Sequence, residues 1–169
     1  FYRAPCTADE NSAVIHIRRA GPLDAPGLAK LLNQIITKGG TTAITGPVIT
    51  DELQSWMARE KSIWHLAEDT AGHAMGFQWI QPHAALPNGT TDIATFVKLG
   101  ETGLGIGSAL FDATKMAARG LGCRNIDAII RADNPGGLAY YQSRGFEDYR
   151  FLQDMALNDG TRVDKVCKR

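Results

Sequence analysis

The stretch from Thr91 to Ala132 limits the fold more than any other part of the chain. A strand pattern, TDIATFV, runs into four glycines between positions 100 and 107 and then into a helical pattern that ends at GLG, residues 120–122. A second strand pattern, NIDAIIRA, follows directly. Because two parallel strands need a crossover of about this length, the order strand, helix, strand predicts a parallel βαβ unit.

Patterns on either side of this unit supply the remaining elements. Apolar residues between 28 and 35 recur at helical spacing, and short apolar runs bounded by turn residues predict strands. The predicted order over residues 13–169 is β-α-α-β-β-β-α-β-α-β-β, after a loose lead-in at residues 1–12. The chain contains no internal repeat, low-complexity tract or linker. We therefore expect one domain of the α/β class with a mixed sheet.

Composition and charge argue against several kinds of partner. Lys and Arg together number 18, as do Asp and Glu, so the formal net charge is zero and nucleic acid is disfavoured. No apolar run approaches the roughly 18 residues that a membrane helix needs. The cysteines, Cys6, Cys123 and Cys167, are few and odd in number, which favours a reducing cytoplasm. The histidines and cysteines show no metal-ligand spacing, so no metal is expected.

The glycine turn has the layout of an anion site. The first N–H groups of a helix have no intrahelical partner, and the aligned peptide dipoles place partial positive charge there. Gly103, Gly105 and Gly107 leave the backbone bare for a phosphate, and Ser108 could add a hydroxyl. No lysine or arginine lies within the loop. The backbone N–H groups are therefore expected to supply most of the contacts to the phosphate.

Three interpretations of this turn have to be weighed. A P-loop requires Gly-Lys-Ser/Thr, and the lysine is absent. A dinucleotide fingerprint, counted from Gly103 and Gly105, requires a third small residue at Ser108, but the unit lies in the middle of the chain. A plain glycine turn that packs a helix on a strand is the third interpretation.

Two motifs resemble the signatures of the GNAT N-acetyltransferases. FVKLGETGLGIGSAL resembles their acetyl-CoA signature, Gln/Arg-x-x-Gly-x-Gly/Ala after a strand, and ADNPGGLAYYQSRGFED resembles a second one, Asn followed by Ala/Leu-Tyr-x-x-x-Gly-Phe. The predicted element order is also that of the family. The resemblance implies a GNAT-like mixed sheet with a splayed central parallel strand pair, and acetyl-CoA as cosubstrate.

The resemblance also implies which residues contact the coenzyme. Backbone at the end of the first strand would pair with the pantetheine arm, and the glycine turn would hold the pyrophosphate. Thr102 stands where Gln or Arg is usual, and Leu104 stands where many members have Arg, so side-chain help is weaker. Asn134 would contact the arm, although capping of the last helix is an equally sensible role. The full set is Phe96, Val97, Thr102, Gly103, Leu104, Gly105, Ile106, Gly107, Ser108, Asn134 and Tyr141.

Acetyl transfer to an amine makes two demands on proton transfer. An alkyl ammonium with a pKa near 10.4 is neutral in only about one molecule in 2,500 at pH 7, so deprotonation accounts for roughly 4.6 kcal/mol of the barrier. A base, or a water chain leading to one, is therefore the larger requirement. The leaving thiol, with a pKa of about 8.5, needs an acid less urgently.

Tyr141 and Asp92 are the catalytic candidates. The resemblance implies that Tyr141 protonates the departing thiolate, whereas packing beside Tyr140 is the alternative. Asp92 matches an acidic position of some small-amine members and is the candidate base, whereas a solvated carboxylate at a strand edge is its alternative. His73, His83 or water could serve instead of Asp92. Glu68 and Asp69 are expected in a turn.

The segment NQIITKGGTTAITGPVITDELQSW resembles the small-amine or amino-acid branch of the family, similar to phosphinothricin acetyltransferases. It would shape the acceptor pocket, with Thr41, Thr42 and Trp79 as candidate lining residues. The expected acceptor is a free amino acid or related small primary amine. Acetylation of a protein N-terminus or lysine, and a CoA-binding sensor without turnover, are the alternatives. Because family members often pair through sheet edges, a homodimer is expected.

Overall fold

The computed structural model describes residues 14–102 and 104–169. Its elements follow the predicted order, which is thereby confirmed. The predicted lead-in at 1–12 lies outside the described residues, and the single domain over 13–169 stays a prediction. The strands are β1 (His16–Arg19), β2 (Ile63–Glu68), β3 (Ala74–Gln81), β4 (Thr90–Val97), β5 (Asn125–Arg131), β6 (Asp148–Ala156) and β7 (Arg162–Lys168). The α-helices are α1 (Ala25–Lys38), α2 (Thr50–Met57), α3 (Ile106–Gly120) and α4 (Pro135–Ser143), and a 3-10 turn covers Pro22–Asp24.

The seven strands form one mixed sheet in the order β1-β2-β3-β4-β5-β7-β6. Among the neighbouring strands of the described residues, only β4 and β5 pair in parallel, and their pairing covers just Thr90–Asp92 against Asn125–Asp127. Beyond that point β4 still pairs with β3 as far as Val97, while the rest of β5 pairs with β7. The central parallel strands therefore separate after Asp92, as predicted, and leave an opening in the middle of the sheet.

The two faces of the sheet are covered by different helices. On one face α1 and α2 pack on an aromatic cluster that includes Trp64, Phe77 and Trp79. On the other face α3 packs across β2, β3 and β4, and α4 packs on β5. None of the helices in the described ranges is long and apolar enough to cross a bilayer.

Strand β4 contributes to both layers because successive side chains of a strand point to opposite faces. Ala94 and Phe96 pack with the cluster under α1 and α2. Ile93 packs with the cluster under α3 and α4, and Val97 packs with Ile106 of α3. Even-numbered residues of β4 consequently face α1 and α2, and odd-numbered residues face α3 and α4.

Candidate active site

A cavity of about 900 Å³ lies where β4 and β5 separate. Its wall is made by the second half of β4, the end of β5, the start of α3, one side of α4 and the loop after α1. This volume lies in the range of small-molecule and cofactor sites. The opening in the sheet therefore forms a ligand site between the two helical layers.

The cavity brings most of the predicted site residues together. The lining includes Asp92, Phe96, Val97, Thr102, Gly105, Ile106, Gly107, Ser108, Asn134 and Tyr141. Leu104 is not among the residues of this wall, and 58% of its surface is exposed. Gly103 lies outside the described residues.

The start of α3 presents free backbone donors to the cavity. Ala109 makes the first intrahelical bond, its N–H donating to the Gly105 carbonyl at 3.0 Å. The N–H groups of Ile106, Gly107 and Ser108 therefore have no acceptor within the helix. Gly105 precedes them with φ +78°, a left-handed conformation that favours glycine. This arrangement suits an anion, as the glycine pattern predicts.

Gly107 has a second reason to lack a side chain. A Cβ placed on it would lie 2.7 Å from Cε2 of Tyr140, far inside van der Waals contact. The Tyr140 hydroxyl also donates to the Gly107 carbonyl at 2.7 Å. Close packing of α4 on the first turn of α3 therefore requires glycine here, which the sequence pattern did not indicate.

Arg144 is a site residue that sequence reasoning missed. It follows α4, lines the cavity, and donates from Nη2 to the Ser108 hydroxyl at 2.5 Å. Its guanidinium carbon lies 5.3 Å from the centroid of the Tyr140 ring, and its Nε is buried with no hydrogen-bond partner in the part of the chain that the structure describes. The fold thus brings a cation to a glycine turn whose own loop has none. The only sequence signal for the location of Arg144 at the cavity was its position in the second motif, YQSRGF.

Tyr141 is buried, with 7% of its surface exposed, and packs edge-on against Tyr140 and Phe146. Its hydroxyl lies 2.8 Å from Oγ1 of Thr95. Burial raises the pKa of Tyr141 well above its ordinary value of 10. The ring of Tyr141 packs beside Tyr140, as the packing interpretation predicts. Its hydroxyl also stays protonated at the cavity wall, as the role of an acid requires.

Asp92 lies at the apex of the opening, since it is the last β4 residue paired with β5. It belongs to a central strand and is half-buried, so the interpretation as a solvated strand-edge carboxylate is wrong. Burial raises the pKa of Asp92 to about 6; the nearby His83 opposes this rise, and Asp127 on β5 adds to it. Asp92 is thus a carboxylate at neutral pH, and its pKa is close enough to neutral pH to suit a general base.

Asp92 and Tyr141 approach the cavity from opposite sides of the sheet. Asp92 is an even-numbered residue of β4 and faces the layer of α1 and α2. Thr95, which contacts the Tyr141 hydroxyl, is odd-numbered and faces the layer of α3 and α4. A carboxylate on one face and a tyrosine hydroxyl on the other suit a reaction whose two substrates enter from different sides.

The alternative bases occupy different environments. His73 lies in the turn between β2 and β3 with 74% of its side chain exposed, and its Nδ1 is 3.2 Å from Asp69. Asp69 also accepts from the turn N–H groups, and Glu68 pairs with Arg18, so neither faces the cavity. His83 does line the cavity, and its Nδ1 accepts from the Ala85 N–H at 3.1 Å. His83 and water therefore remain as alternatives to Asp92.

The loop after α1 closes the cavity on the side of α1 and α2. Asn134 Nδ2 donates to the Thr41 carbonyl at 3.2 Å, and Arg131 Nη1 donates to the Thr42 carbonyl at 3.2 Å. The Asn134 Oδ1 also accepts from the Gly137 N–H at 3.0 Å, so this residue caps α4. Trp79 is 6% exposed and stacks on Trp64, hence it forms wall as well as core.

No group of three or more metal-ligating side chains is found within residues 14–102 and 104–169. The groups at the centre of the site include the backbone donors of α3, Tyr140, Tyr141, Arg144 and Asp92. Such groups can hold a phosphorylated ligand and move protons.

Comparison with known proteins agrees with this geometry. Residues 38–146 match the model of the acetyltransferase (GNAT) family. The chain is 31% identical over 140 residues to an L-methionine sulfoximine/L-methionine sulfone acetyltransferase from Pseudomonas paraeruginosa, a match that covers 78% of this chain and 79% of the relative.

Two solved structures share the fold. A phosphinothricin acetyltransferase from Sinorhizobium meliloti, in complex with acetyl-CoA, has a TM-score of 0.78 at 20% identity over 91% of this chain and 86% of that one. A ribosomal-protein-alanine N-acetyltransferase from Brucella melitensis has a TM-score of 0.82 at 22% identity over 90% and 97%. The predicted family resemblance and fold class are confirmed.

Proposed function

Because the chain belongs to the acetyltransferase (GNAT) family, we propose that it moves the acetyl group of acetyl-CoA to the primary amine of a small molecule, with a free amino acid as the favoured acceptor. The observation that carries this proposal is the opening between β4 and β5, with Asp92 and Tyr141 on its two sides. The opening provides one place where a thioester from one face and an amine from the other can meet.

The described residues fit the coenzyme. The free N–H groups at the start of α3 and the Arg144 guanidinium suit the two negative phosphates. Beyond Asp92, the side of β4 that faces β5 is not paired in the register of the sheet. An extended pantetheine arm can pair with that backbone as an added strand would.

The reaction requires one bond to form and one to break. The amine nitrogen attacks the thioester carbonyl carbon, the new C–N bond forms, and the C–S bond breaks. A bound ammonium loses two protons in all, of which one ends on the coenzyme thiol and the other reaches solvent. We assign removal of one proton from nitrogen, and its release to solvent, to Asp92. We assign protonation of sulfur to Tyr141, which regains its proton from the second proton of the nitrogen.

The assignment of an amino acid acceptor rests on the relatives and on the loop after α1. The Pseudomonas relative is named for two amino-acid derivatives. Thr41, Thr42 and Ile44 of this loop line the cavity on the side of Asp92, where the amine would enter. The loop is tied to β5 and α4 by hydrogen bonds, which favours a closed acceptor pocket over an open groove for a polypeptide.

We also propose a cytoplasmic homodimer. Cys123 and Cys167 are free thiols, in keeping with a reducing compartment. The edge strand β6 exposes Tyr149, Phe151 and Met155, which is unusual for an edge that stays in water. Light scattering of the purified protein would test this, and a monomer at micromolar concentration would contradict it.

The proposed function is tested by coenzyme binding followed by an acceptor screen. Acetyl-CoA is expected to raise the melting temperature, and thiol release is expected with a subset of L-amino acids or related amines such as methionine sulfoximine. The absence of any melting shift would contradict the site. A shift without thiol release from any acceptor would indicate a sensor, and release with peptides alone would indicate protein acetylation.

Substitution of Arg144 tests how the coenzyme is held. Arg144→Gln is expected to raise KM for acetyl-CoA about 10- to 100-fold with little change in kcat, because a hydrogen bond to a charged group contributes roughly 1.5–3 kcal/mol. Steady-state kinetics with acetyl-CoA and with acetyl-pantetheine, which lacks the diphosphate, would measure this. The variant and the wild type should use acetyl-pantetheine equally well.

A matched control lies at the other end of α3. Arg119 is an exposed residue in the last turn of that helix, so Arg119→Gln removes the same charge far from the glycine turn. It should leave both kinetic constants unchanged. An equal effect of the two substitutions, or a penalty for Arg144→Gln that persists with acetyl-pantetheine, would show that Arg144 does not contact the diphosphate.

A further inference from the structure

A buried glutamine lies behind the acid side of the cavity. Gln78 of β3 is fully buried, and its Nε2 donates to Oγ1 of Thr95 at 2.7 Å and to the Tyr140 hydroxyl at 3.1 Å. Its Oε1 is also buried and has no hydrogen-bond partner among the described residues. An unpaired buried carbonyl lowers stability, so the presence of an amide here calls for another explanation.

The hydrogen-bond directions in this network follow from one group that can only accept. The Gly107 carbonyl has no hydrogen, so the Tyr140 hydroxyl must donate to it. The Tyr140 oxygen can then only accept from Gln78, which requires the amide nitrogen on that side. The second hydrogen of the same nitrogen goes to Thr95.

Thr95 links Gln78 to the Tyr141 hydroxyl in this network. Its Oγ1 already accepts from Gln78, and a hydroxyl that accepts a hydrogen bond becomes a better donor. The 2.8 Å contact with the Tyr141 oxygen allows either hydroxyl to donate, and the bond from Gln78 favours Thr95 as the donor. Once the Tyr141 oxygen accepts from Thr95, its hydrogen is free to point into the cavity.

We propose that Gln78 and Thr95 are positioning residues that orient the Tyr141 hydroxyl hydrogen toward the departing sulfur. This inference rests on the proposed acid role of Tyr141. It explains why Gln78 is an amide despite its unpaired oxygen, since an apolar residue would leave Thr95 free to accept from Tyr141 and turn the hydrogen away.

The test compares two substitutions of Thr95 and one of Gln78. Thr95→Val keeps the shape and removes the hydroxyl, and it is expected to lower kcat about tenfold, the upper end of what one neutral hydrogen bond supplies. The Kd for acetyl-CoA should change less than about twofold. Thr95→Ser restores the hydroxyl and should recover most of the lost turnover, and Gln78→Met should lose about as much as Thr95→Val.

A buried threonine elsewhere on β4 serves as the control for packing. Thr91 is also buried, and its hydroxyl donates to the Gln81 carbonyl outside this network. Thr91→Val should lower the melting temperature and leave kcat unchanged. Should Gln78→Met fail to fold, the Thr95 pair still decides the matter.

A double substitution separates this inference from the proposed function. In a Tyr141→Phe background, Thr95→Val should cause no further loss of kcat, because the hydrogen that it orients is gone. Losses that multiply, or full turnover of Thr95→Val beside an impaired Tyr141→Phe, would overturn the positioning role. Full turnover of Tyr141→Phe itself would instead overturn the acid role assigned under the proposed function.

Discussion

Asp92→Asn is expected to lower kcat/KM for the amine about 10³-fold at pH 7. General bases contribute about 10²- to 10⁴-fold, and without one the enzyme must wait for the roughly one amine molecule in 2,500 that is already neutral. The amide keeps the size of the side chain and its place at the apex of the opening, so the loss reflects proton transfer. Steady-state kinetics with a saturating concentration of acetyl-CoA would measure it.

The pH profile gives this prediction its sharpest form. Burial raises the pKa of Asp92 to about 6, so the wild-type kcat/KM should fall as the pH drops through about 6 and the carboxylate takes up a proton. The rate of the Asp92→Asn variant should instead rise about tenfold per pH unit toward the amine pKa, because only the supply of neutral amine limits it. The deficit should be largest at low pH and shrink toward about pH 10.

Stability provides an independent measure of the same group. The pKa of Asp92 in the folded chain lies above its ordinary value of 3.8, so its favourable contribution is present below about pH 4 and is lost as the pH rises through about 6. Asp92→Asn should therefore raise the melting temperature relative to wild type, and by more at pH 7 than at pH 4. Such a gain in stability with a loss of activity is expected of a strained functional group.

The control for Asp92 is a carboxylate outside the cavity. Asp69→Asn changes a turn residue and should leave the pH profile unchanged. A pH profile of Asp92→Asn parallel to that of wild type would remove Asp92 as the base. His83→Asn would then distinguish His83 from water as the base, since this substitution should change the pH profile only if His83 is the base.

Tyr141→Phe is expected to lower kcat about 10²-fold while the Kd for acetyl-CoA changes by less than about threefold. The ring is retained, so its contacts with Tyr140 and Phe146 persist, and only the proton donor is lost. Single-turnover kinetics would separate this loss from binding, and calorimetry would give the affinity. Turnover equal to that of wild type would leave packing as the only role of this residue.

An exposed hydroxyl on the same helix serves as the comparison. Ser143 follows Tyr141 by two residues and donates to the Tyr140 carbonyl, away from the cavity. Ser143→Ala should leave kcat unchanged. Equal losses in the two variants would point to a change in α4 as a whole.

Both predictions depend on the way in which β4 is used. Pairing with β5 ends at Asp92, and alternation along the strand then sends Asp92 to one face and Thr95 to the other. A strand paired along its whole length would close the sheet and keep the two groups apart. The separation of the two strands therefore creates the cavity and places Asp92 and Tyr141 on its two sides.

The sequence by itself determined the order of elements, the glycine turn that precedes α3 and the identity of the family. These are local properties: side-chain periodicity selects helix or strand, and only glycine adopts φ +78° without strain. The two motifs also contain about half of the residues that line the cavity.

Only the tertiary structure decided which distant side chains meet at that cavity. Arg144 reaches Ser108 across 36 positions of sequence, and Gln78 reaches Tyr140 across 62. It also decided that Gly107 makes room for the Tyr140 ring and that burial shifts the pKa of Asp92. Such contacts depend on how helices and strands pack, and a local sequence pattern does not predict which distant residue will lie nearby.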